Sequence, residues 1–465
     1  MRFGIFAGVA ALALAASSLP VSAQPSDKER KQALEIYRTV VEMDTSVEGG
    51  RTPEMAKYLA DRFRDGGFDD KDIHLIPVDK TAALVVRYRG DGSGGKPILF
   101  LAHMDVVPAH RADWERDPFK LIEENGYFFG RGSEDNKSGL VLMAATFLSL
   151  KAEKFVPTRD LVLVLTGDEE TSGVTAKTLL KDHRALVDGE FALNSDAGAG
   201  ELAETSGKPV AYSLQTAEKT FASFTLTARN EGGHSSAPRK ENAIYDLVGA
   251  LARLQRYAFP VMWNETTIAA FRSVGQLKKD KIGKAMLRFA ARPGDKRAAA
   301  VLSADPFSVG QVRTTCVATM LSAGHADNAL PQRAVGTVNC RIFPGVTIKA
   351  VQAQLQRLAG PKIEIAPMDD YTSSDASPLR KDVVAAITAA VHSGYPGVRI
   401  VPSMSSGATD GVFFRAAGIP TYGAGELFMK DSDSFAHGLN ERVRVDAFYQ
   451  GLTHWRVLIT KLAGK

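Results

Sequence analysis

Beyond its first two dozen residues the chain alternates two kinds of segment. Residues 33–43, 53–63 and 138–150 carry apolar positions three and four apart, the helical period. Residues 83–88, 97–102, 160–165 and 191–193 are short apolar runs that read as strands. The second and third of these are so uniformly apolar that a place in the middle of a sheet, covered on both faces, is expected. Strands alternating with helices predict an α/β fold, a mostly parallel sheet flanked by helices.

The pattern changes after about Tyr212. Residues 221–228 and 334–342 alternate polar and apolar, as strands with one wet face do. Helices are expected at 243–257 and 347–358. Between the two alternating runs lies a mixed, Lys-rich stretch, 262–297, in which 278–284 reads as a solvated helix face. From Ser377 the α/β rhythm returns, with helices at 381–393, 411–417 and 445–462 and strands at 398–402 and 419–422. The expectation is one α/β domain in two parts, 24–214 and 376–465, interrupted by an inserted α+β domain at 215–375.

The N-terminus has its own pattern. Arg2 precedes an apolar run over residues 3–16, and Val21-Ser22-Ala23 places small residues where a signal peptidase reads. Residues 1–23 are therefore expected to be a secretory signal cleaved before Gln24. The alternative is a buried helix or an uncleaved anchor, but the run is short for a membrane span. No lipobox cysteine follows, so a free secreted or periplasmic protein is expected.

Composition narrows the class. A chain of 465 residues favours two domains or more, and 45% hydrophobic with 24% charged residues is a soluble globular balance. Fifty-seven Lys and Arg against 53 Asp and Glu leave a formal +4, too little over this length to argue for nucleic acid or an anionic membrane. Two cysteines cannot build a disulfide scaffold or a thiolate metal site. They lie twelve residues either side of Asn328, so a hairpin centred there would make Cys316 and Cys340 cross-strand neighbours able to bridge. Two buried thiols are the favoured alternative, because bulges shift register.

The candidate chemistry gathers beyond strand ends, where open α/β sheets place their sites. The run ending at Ala102 delivers His103-Met-Asp105, which suits a metal ligand and an orienting carboxylate, or a structural histidine. Gly130-Arg-Gly-Ser-Glu-Asp135 precedes a helix, and Asp135 reads as a cap or a ligand. Asp168-Glu169-Glu170 puts three acids after a buried strand, where they repel unless cations or shared protons relieve them. Asp196 follows another strand and His437 precedes the last helix, each a ligand or a cap. Two histidines with three carboxylates and no thiolate suit zinc, with manganese or cobalt as substitutes, and suffice for two ions if Asp135 bridges them.

These motifs, Leu101-Ala-His-Met-Asp-Val-Val-Pro108, Gly130-Arg-Gly-Ser-Glu-Asp-Asn-Lys137, Gly167-Asp-Glu-Glu170 and His437-Gly-Leu-Asn-Glu441, resemble the signatures of a co-catalytic zinc hydrolase family. That family includes aminoacylases, carboxypeptidase S, glutamate carboxypeptidase and succinyl-diaminopimelate desuccinylase. Gly233-His-Ser-Ser236, Arg313-Thr-Thr, Asn328-Ala-Leu-Pro331 and Val338-Asn-Cys-Arg-Ile342 look most like the carboxypeptidase S branch, which also holds N-acyl-amino-acid hydrolases.

The resemblance implies two Zn²⁺ per chain, one on His103 and Asp196, the other on Glu170 and His437, with Asp135 shared. It makes Asp105 the orienter of His103, and Glu169 the general base that passes a proton from the attacking water to the leaving amine. It makes His234 a donor to the developing oxyanion, often in a partner subunit's site, and so allows a homodimer through the inserted domain. Asn328, Arg341 and the Gly407 backbone would hold the substrate, though His234 also fits an ordinary turn and Arg341 a surface ion pair. Ala408 stands where the family has glycine before Thr409-Asp410. The function implied is hydrolysis of a peptide or N-acyl-amino-acid amide beside a free carboxylate. A dipeptidase or other amidase on the same scaffold is the alternative, as is a metal- or peptide-binding protein without turnover, against which an intact Glu169 argues.

Overall fold

The computed structural model describes residues 24–465; the expected signal segment, 1–23, lies outside them. The main sheet has ten strands. Its order is Ile73–Val78, Thr81–Tyr88, Leu161–Thr166, Ile98–His103, Phe191–Asn194, Thr421–Gly423, Pro209–Glu218, Ala199–Leu202, Phe428–Met429, and Arg399–Ser405 also pairs with Pro209–Glu218. The middle four run parallel, where the uniformly apolar runs had pointed. Antiparallel pairs flank them on both sides. Ile73–Val78 lies outside the expected elements: it is an edge strand whose apolar positions are interrupted by His74 and by Pro77, a residue that an edge tolerates.

The helix Lys137–Ala152 is buried along its whole length from Lys137 to Leu150. Apolar residues on every side let it lie between the sheet and the helices Asp27–Val41 and Val445–Ala463. Phe100 of the sheet, Phe147 of this helix and Trp455 of the last pack edge to face in that core.

A second sheet, wholly antiparallel, runs Thr315–Ala323, Arg333–Ile342, Thr220–Arg229, Ile363–Pro367. Burial alternates along Arg333–Ile342 as its period predicts, and Ala243–Arg256 and Ile348–Ala359 cover the dry face. The Lys-rich stretch resolves into three helices, Glu265–Leu277, Lys281–Ala291 and Lys296–Ser303, each opened by a side-chain cap from Asn264, Asp280 or Asp295. They close on Phe271, Phe289 and Leu302. Ile282, Ala285, Met286 and Phe289 do keep helical spacing, a signal hidden by the density of lysines.

The expectation of two free thiols is corrected. Thr315–Ala323 and Arg333–Ile342 form the hairpin, Cys316 stands opposite Cys340, and the two sulfurs are bonded. The register-shifting bulge does occur, between Ala318 and Met320, but on the turn side of the cysteines, so it leaves them opposed. Among the described residues no helix is long and apolar enough to cross a membrane.

Candidate active site

Strand register assembles most of the site. His103 is level with Thr166, and Leu101 with Asn194, so the loops leaving these three parallel strands start side by side. They place His103, Glu169, Glu170 and Asp196 together at the carboxyl edge of the sheet. The turn after Thr166 needs glycine, since a Cβ on Gly167 would lie 2.3 Å from the Ala82 carbonyl oxygen. A small antiparallel sheet of Ile122–Glu124, Tyr127–Phe129 and Arg442–Arg444 brings in the remaining ligands. It lays the loop 130–135 against residues 437–441, with the Gly130 amide donating to the Glu441 carbonyl at 3.1 Å.

His103 donates through Nδ1 to the Asp105 backbone carbonyl at 3.0 Å, which turns Nε2 into the cluster. That Nε2 is 2.9 Å from Asp135 Oδ1 and 3.6 Å from Asp196 Oδ1. His437 Nε2 is 3.2 Å from Asp135 Oδ2 and 3.0 Å from Glu170 Oε1. Asp135 thus turns one oxygen to each histidine. Ligand atoms of His103, Asp135 and Asp196 lie within 4.8 Å of one another, as do those of Asp135, Glu170 and His437, and those of His103, Glu169 and Glu170.

So many acids strain one another. Burial, reinforced by Asp196 and Asp410, pushes the Glu169 carboxyl well above the ordinary range. Burial pushes Asp196 up to about 7 against the pull of His103. Asp135 is held low by its two histidines although burial opposes them. Hydrogen bonds to Asp135 and Glu170 push His437 up to about 10. For His103 burial acts downward, yet Asp196, Asp105 and Asp135 together hold its imidazolium well above the usual value. Two overlapping nitrogen–oxygen triads sharing one carboxylate, with surplus buried negative charge, fit a pair of divalent cations.

Three acids beside the cluster have distinct tasks. The Asp105 carboxylate is 3.5 Å from His103 Nδ1, and it also accepts the amides of Glu169 and Glu170 at 3.1 and 3.0 Å. It therefore positions both glutamates. Asp168, the third of the consecutive acids, turns away from the cluster and accepts the amides of Val174 and Thr175 at the start of the helix Val174–Asp182. Glu441 received no role from the sequence although it ends a recognised motif. It is fully buried, pairs with Arg131 at 2.6 Å, and accepts the amides of Gly132, Glu134 and Asp135 at 3.1, 2.7 and 3.0 Å. It thereby ties the His437 loop to the Asp135 loop across some three hundred residues of chain, a link no local pattern announces.

A cavity of about 520 Å³ opens on the cluster, lined by Asp135, Glu169, Glu170, Asp196 and His437 and, on the far side, by Ser405, Ala408 and Thr409. Gly407 lies exposed on that far loop, its amide donating to Ser405 Oγ at 3.0 Å. Arg341 reaches the same loop from the second sheet. Its guanidinium donates to the Ser406 carbonyl, lies 4.8 Å from the centre of the Phe221 ring, and pairs with no carboxylate among the described residues. His234 and Asn328 sit together elsewhere. The strand Gly233–His234 pairs with Ala329–Leu330, and the Ser235 amide donates to the Asn328 carbonyl at 3.0 Å. Both side chains are exposed and neither lines the cavity. The Ser236 amide donates to His234 Nδ1 at 3.1 Å, so Nδ1 is an acceptor and the ring hydrogen sits on Nε2.

The profile of peptidase family M20/M25/M40 matches residues 99–461. The chain is 28% identical to human N-fatty-acyl-amino acid synthase/hydrolase PM20D1 over 372 residues, 77% of this chain and 73% of the relative. It is 26% identical to mouse aminoacylase-1 over 415 residues, 87% and 89% of the two chains. The structure superimposes on the M20 family metallo-carboxypeptidase Sso-CP2 from Sulfolobus solfataricus with a TM-score of 0.68 at 20% identity, covering 94% of this chain and 99% of that one. A histidine–carboxylate cluster at the carboxyl edge of an α/β sheet and a profile spanning most of the sequence lead to the same result: this chain belongs to peptidase family M20/M25/M40, a family of metal-dependent peptidases and amidohydrolases.

Proposed function

We propose that the protein is an exported di-zinc hydrolase that cleaves a peptide or N-acyl-amino-acid amide bond beside a free carboxylate. The observation that carries this reading is Arg341, a cation paired with no carboxylate among the described residues, whose guanidinium reaches from the second sheet to the Ser406 carbonyl in the loop that lines the same cavity as the metal-ligand cluster. His103, Asp135 and Asp196 would hold one ion and Asp135, Glu170 and His437 the other. Bound there, two divalent ions would polarise the amide carbonyl and acidify a water. Glu169, facing the cavity and fixed through its amide by Asp105, accepts the proton of the attacking water on its carboxylate. It then hands that proton to the amide nitrogen as the C–N bond breaks, so the products are a carboxylic acid and an amine. Arg341 holds the substrate carboxylate and sets the carbonyl over the cluster, a group that a planar two-pronged donor suits, and the Gly407 amide would join it on leaving Ser405 Oγ.

Amidating the substrate's carboxylate is expected to cost the wild-type enzyme about two orders of magnitude in kcat/KM, the loss of one charged hydrogen-bonded pair. Arg341→Ala should lower kcat/KM on the free acid and be nearly indifferent to amidation. Equal cleavage of acid and amide by wild type would instead make the protein a general amidase.

His234 and Asn328 enter this reading through a second copy of the chain. They are displaced from the cavity of their own chain, and their neighbourhood leaves apolar surface uncovered. Val317, Met320 and Leu321 are exposed on the edge strand Thr315–Ala323, and Tyr245 and Val248 on the adjoining helix. A homodimer through this face would present His234 Nε2–H to the partner's cavity as an oxyanion donor. Co-expressed Glu169→Gln and His234→Ala chains should then recover up to roughly a quarter of wild-type activity, from mixed dimers with one intact site. No recovery from a confirmed mixed dimer rejects the shared site.

Export is supported by the N-terminal pattern and by the Cys316–Cys340 bond, since disulfides persist in oxidising compartments. N-terminal sequencing of the native protein should begin at Gln24; a start at Met1 would exclude cleavage.

A further inference from the structure

The net charge of the whole chain hides a strong local asymmetry. Residues 278–297 hold eight Lys and Arg against two Asp, a larger excess than the +4 of all 465 residues. The structure makes a ridge of them. Lys281, Lys284, Arg288 and Arg292 are exposed along one face of the helix Lys281–Ala291, flanked by exposed Lys278 and Lys279 before it and Lys296 and Arg297 after it. The two aspartates do little to neutralise it. Asp280 and Asp295 accept the amides of Gly283 and Ala298 as helix caps, and among the described residues only Arg288 of the eight cations forms an ion pair, with Asp295 at 3.0 Å.

Apolar groups are set among these charges. Leu277 is 43% exposed and Leu287 38%, and Leu287 lies against Gly275 of the preceding helix. Trp263, 44% exposed, overlies Gly294 at the far end of the ridge, its inner edge packed on Phe289. Cations on long flexible stems, aliphatic side chains between them and an indole at the margin match a bilayer interface, where lysines reach the headgroups and apolar tips enter the acyl boundary. A polyanion such as nucleic acid would use the charge but have no use for the leucines.

We propose that this ridge docks the protein reversibly onto a membrane surface rich in anionic phospholipid. The reading of no membrane partner rested on the summed charge of the chain, and a docking face depends only on the charge within a Debye length of the surface. The ridge lies on the helical group that packs on the strand Arg399–Ser405, whose last residues line the cavity. Arg399, which begins the strand supplying Ser405, donates to Gln276 Oε1 at 2.7 Å, and Gln311 donates to the Met404 carbonyl at 3.3 Å. Docking would therefore hold the cavity at a set orientation to the lipid.

The test is co-sedimentation of the processed full-length protein with phosphatidylglycerol-containing vesicles and with pure phosphatidylcholine vesicles. Wild type should bind the anionic vesicles and not the neutral ones, and binding should fall about tenfold or more between roughly 50 and 300 mM salt. Lys281→Glu/Lys284→Glu/Arg292→Glu should abolish binding while turnover of a soluble substrate stays unchanged, which also certifies its fold. The matching Lys281→Arg/Lys284→Arg pair should bind like wild type, and Leu277→Ser/Leu287→Ser should bind several-fold more weakly. Failure of wild type to bind anionic vesicles, equal binding by the charge-reversed variant, or binding to duplex DNA but not to vesicles would each overturn the proposal.

Discussion

Glu169→Gln is expected to bind two metal ions per chain, fold as wild type does, and lose turnover on the order of hundreds-fold or more. The substitution keeps the shape of the side chain and removes the one property the reaction asks of it, a carboxylate able to take and return a proton. Its amide would still be held by Asp105, so the loop should not move. Glu170→Gln is the contrasting case. Its Oε1 lies 3.0 Å from His437 Nε2 within one of the ligand triads, so loss of its charge should lower metal content. Elemental analysis beside kinetics separates the two. Near-normal turnover by a metal-loaded Glu169→Gln enzyme would remove Glu169 from the mechanism. A single tightly held ion in fully active wild type would remove the bridged site.

Glu441→Ala is expected to destabilise even the metal-free protein by about 3–5 kcal/mol, because it strands the buried guanidinium of Arg131 without its counter-charge. The three loop amides lose their acceptor in the same step. Glu441→Gln retains an acceptor of the same size and should cost less. Denaturant unfolding of the chelated protein measures the scaffold alone, since bound metal would add its own stabilisation to the folded state. A loss below about 1 kcal/mol would mean that the loop does not depend on this pair.

The two regions differ in how much of them could be read in advance. The middle of the main sheet was legible because a strand covered on both faces is apolar nearly throughout, as residues 98–102 and 161–165 are. The edge strand Ile73–Val78 has one wet face and was not. In the site, residues set just past those strands could be singled out as candidates, but the same pattern includes Asp168, which caps a helix instead. Arg341 could be placed on the polar face of its strand by alternation, yet alternation could not say that it would meet the loop of Gly407 from another sheet.

By itself the sequence determined the α/β rhythm, the interruption of that rhythm, and the loops that carry the candidate ligands. Each follows from interactions near in the chain: periodic burial, turn-forming residues, and acids placed after apolar strands. Tertiary structure alone decided which oxygen of Asp135 faces which histidine, and that Glu441 rather than a local cap holds the Asp135 loop. It decided that the cysteines pair although a bulge lies beside them, and that His234 lies outside its own chain's cavity. It also decided that scattered lysines form one exposed ridge. The Asp135–His437 and Asp135–Glu441 contacts join loops some three hundred residues apart, and no short window of sequence contains both partners. The cysteine pair and the ridge lie within about twenty-five residues each, but strand register and helix packing set by the whole chain decide them.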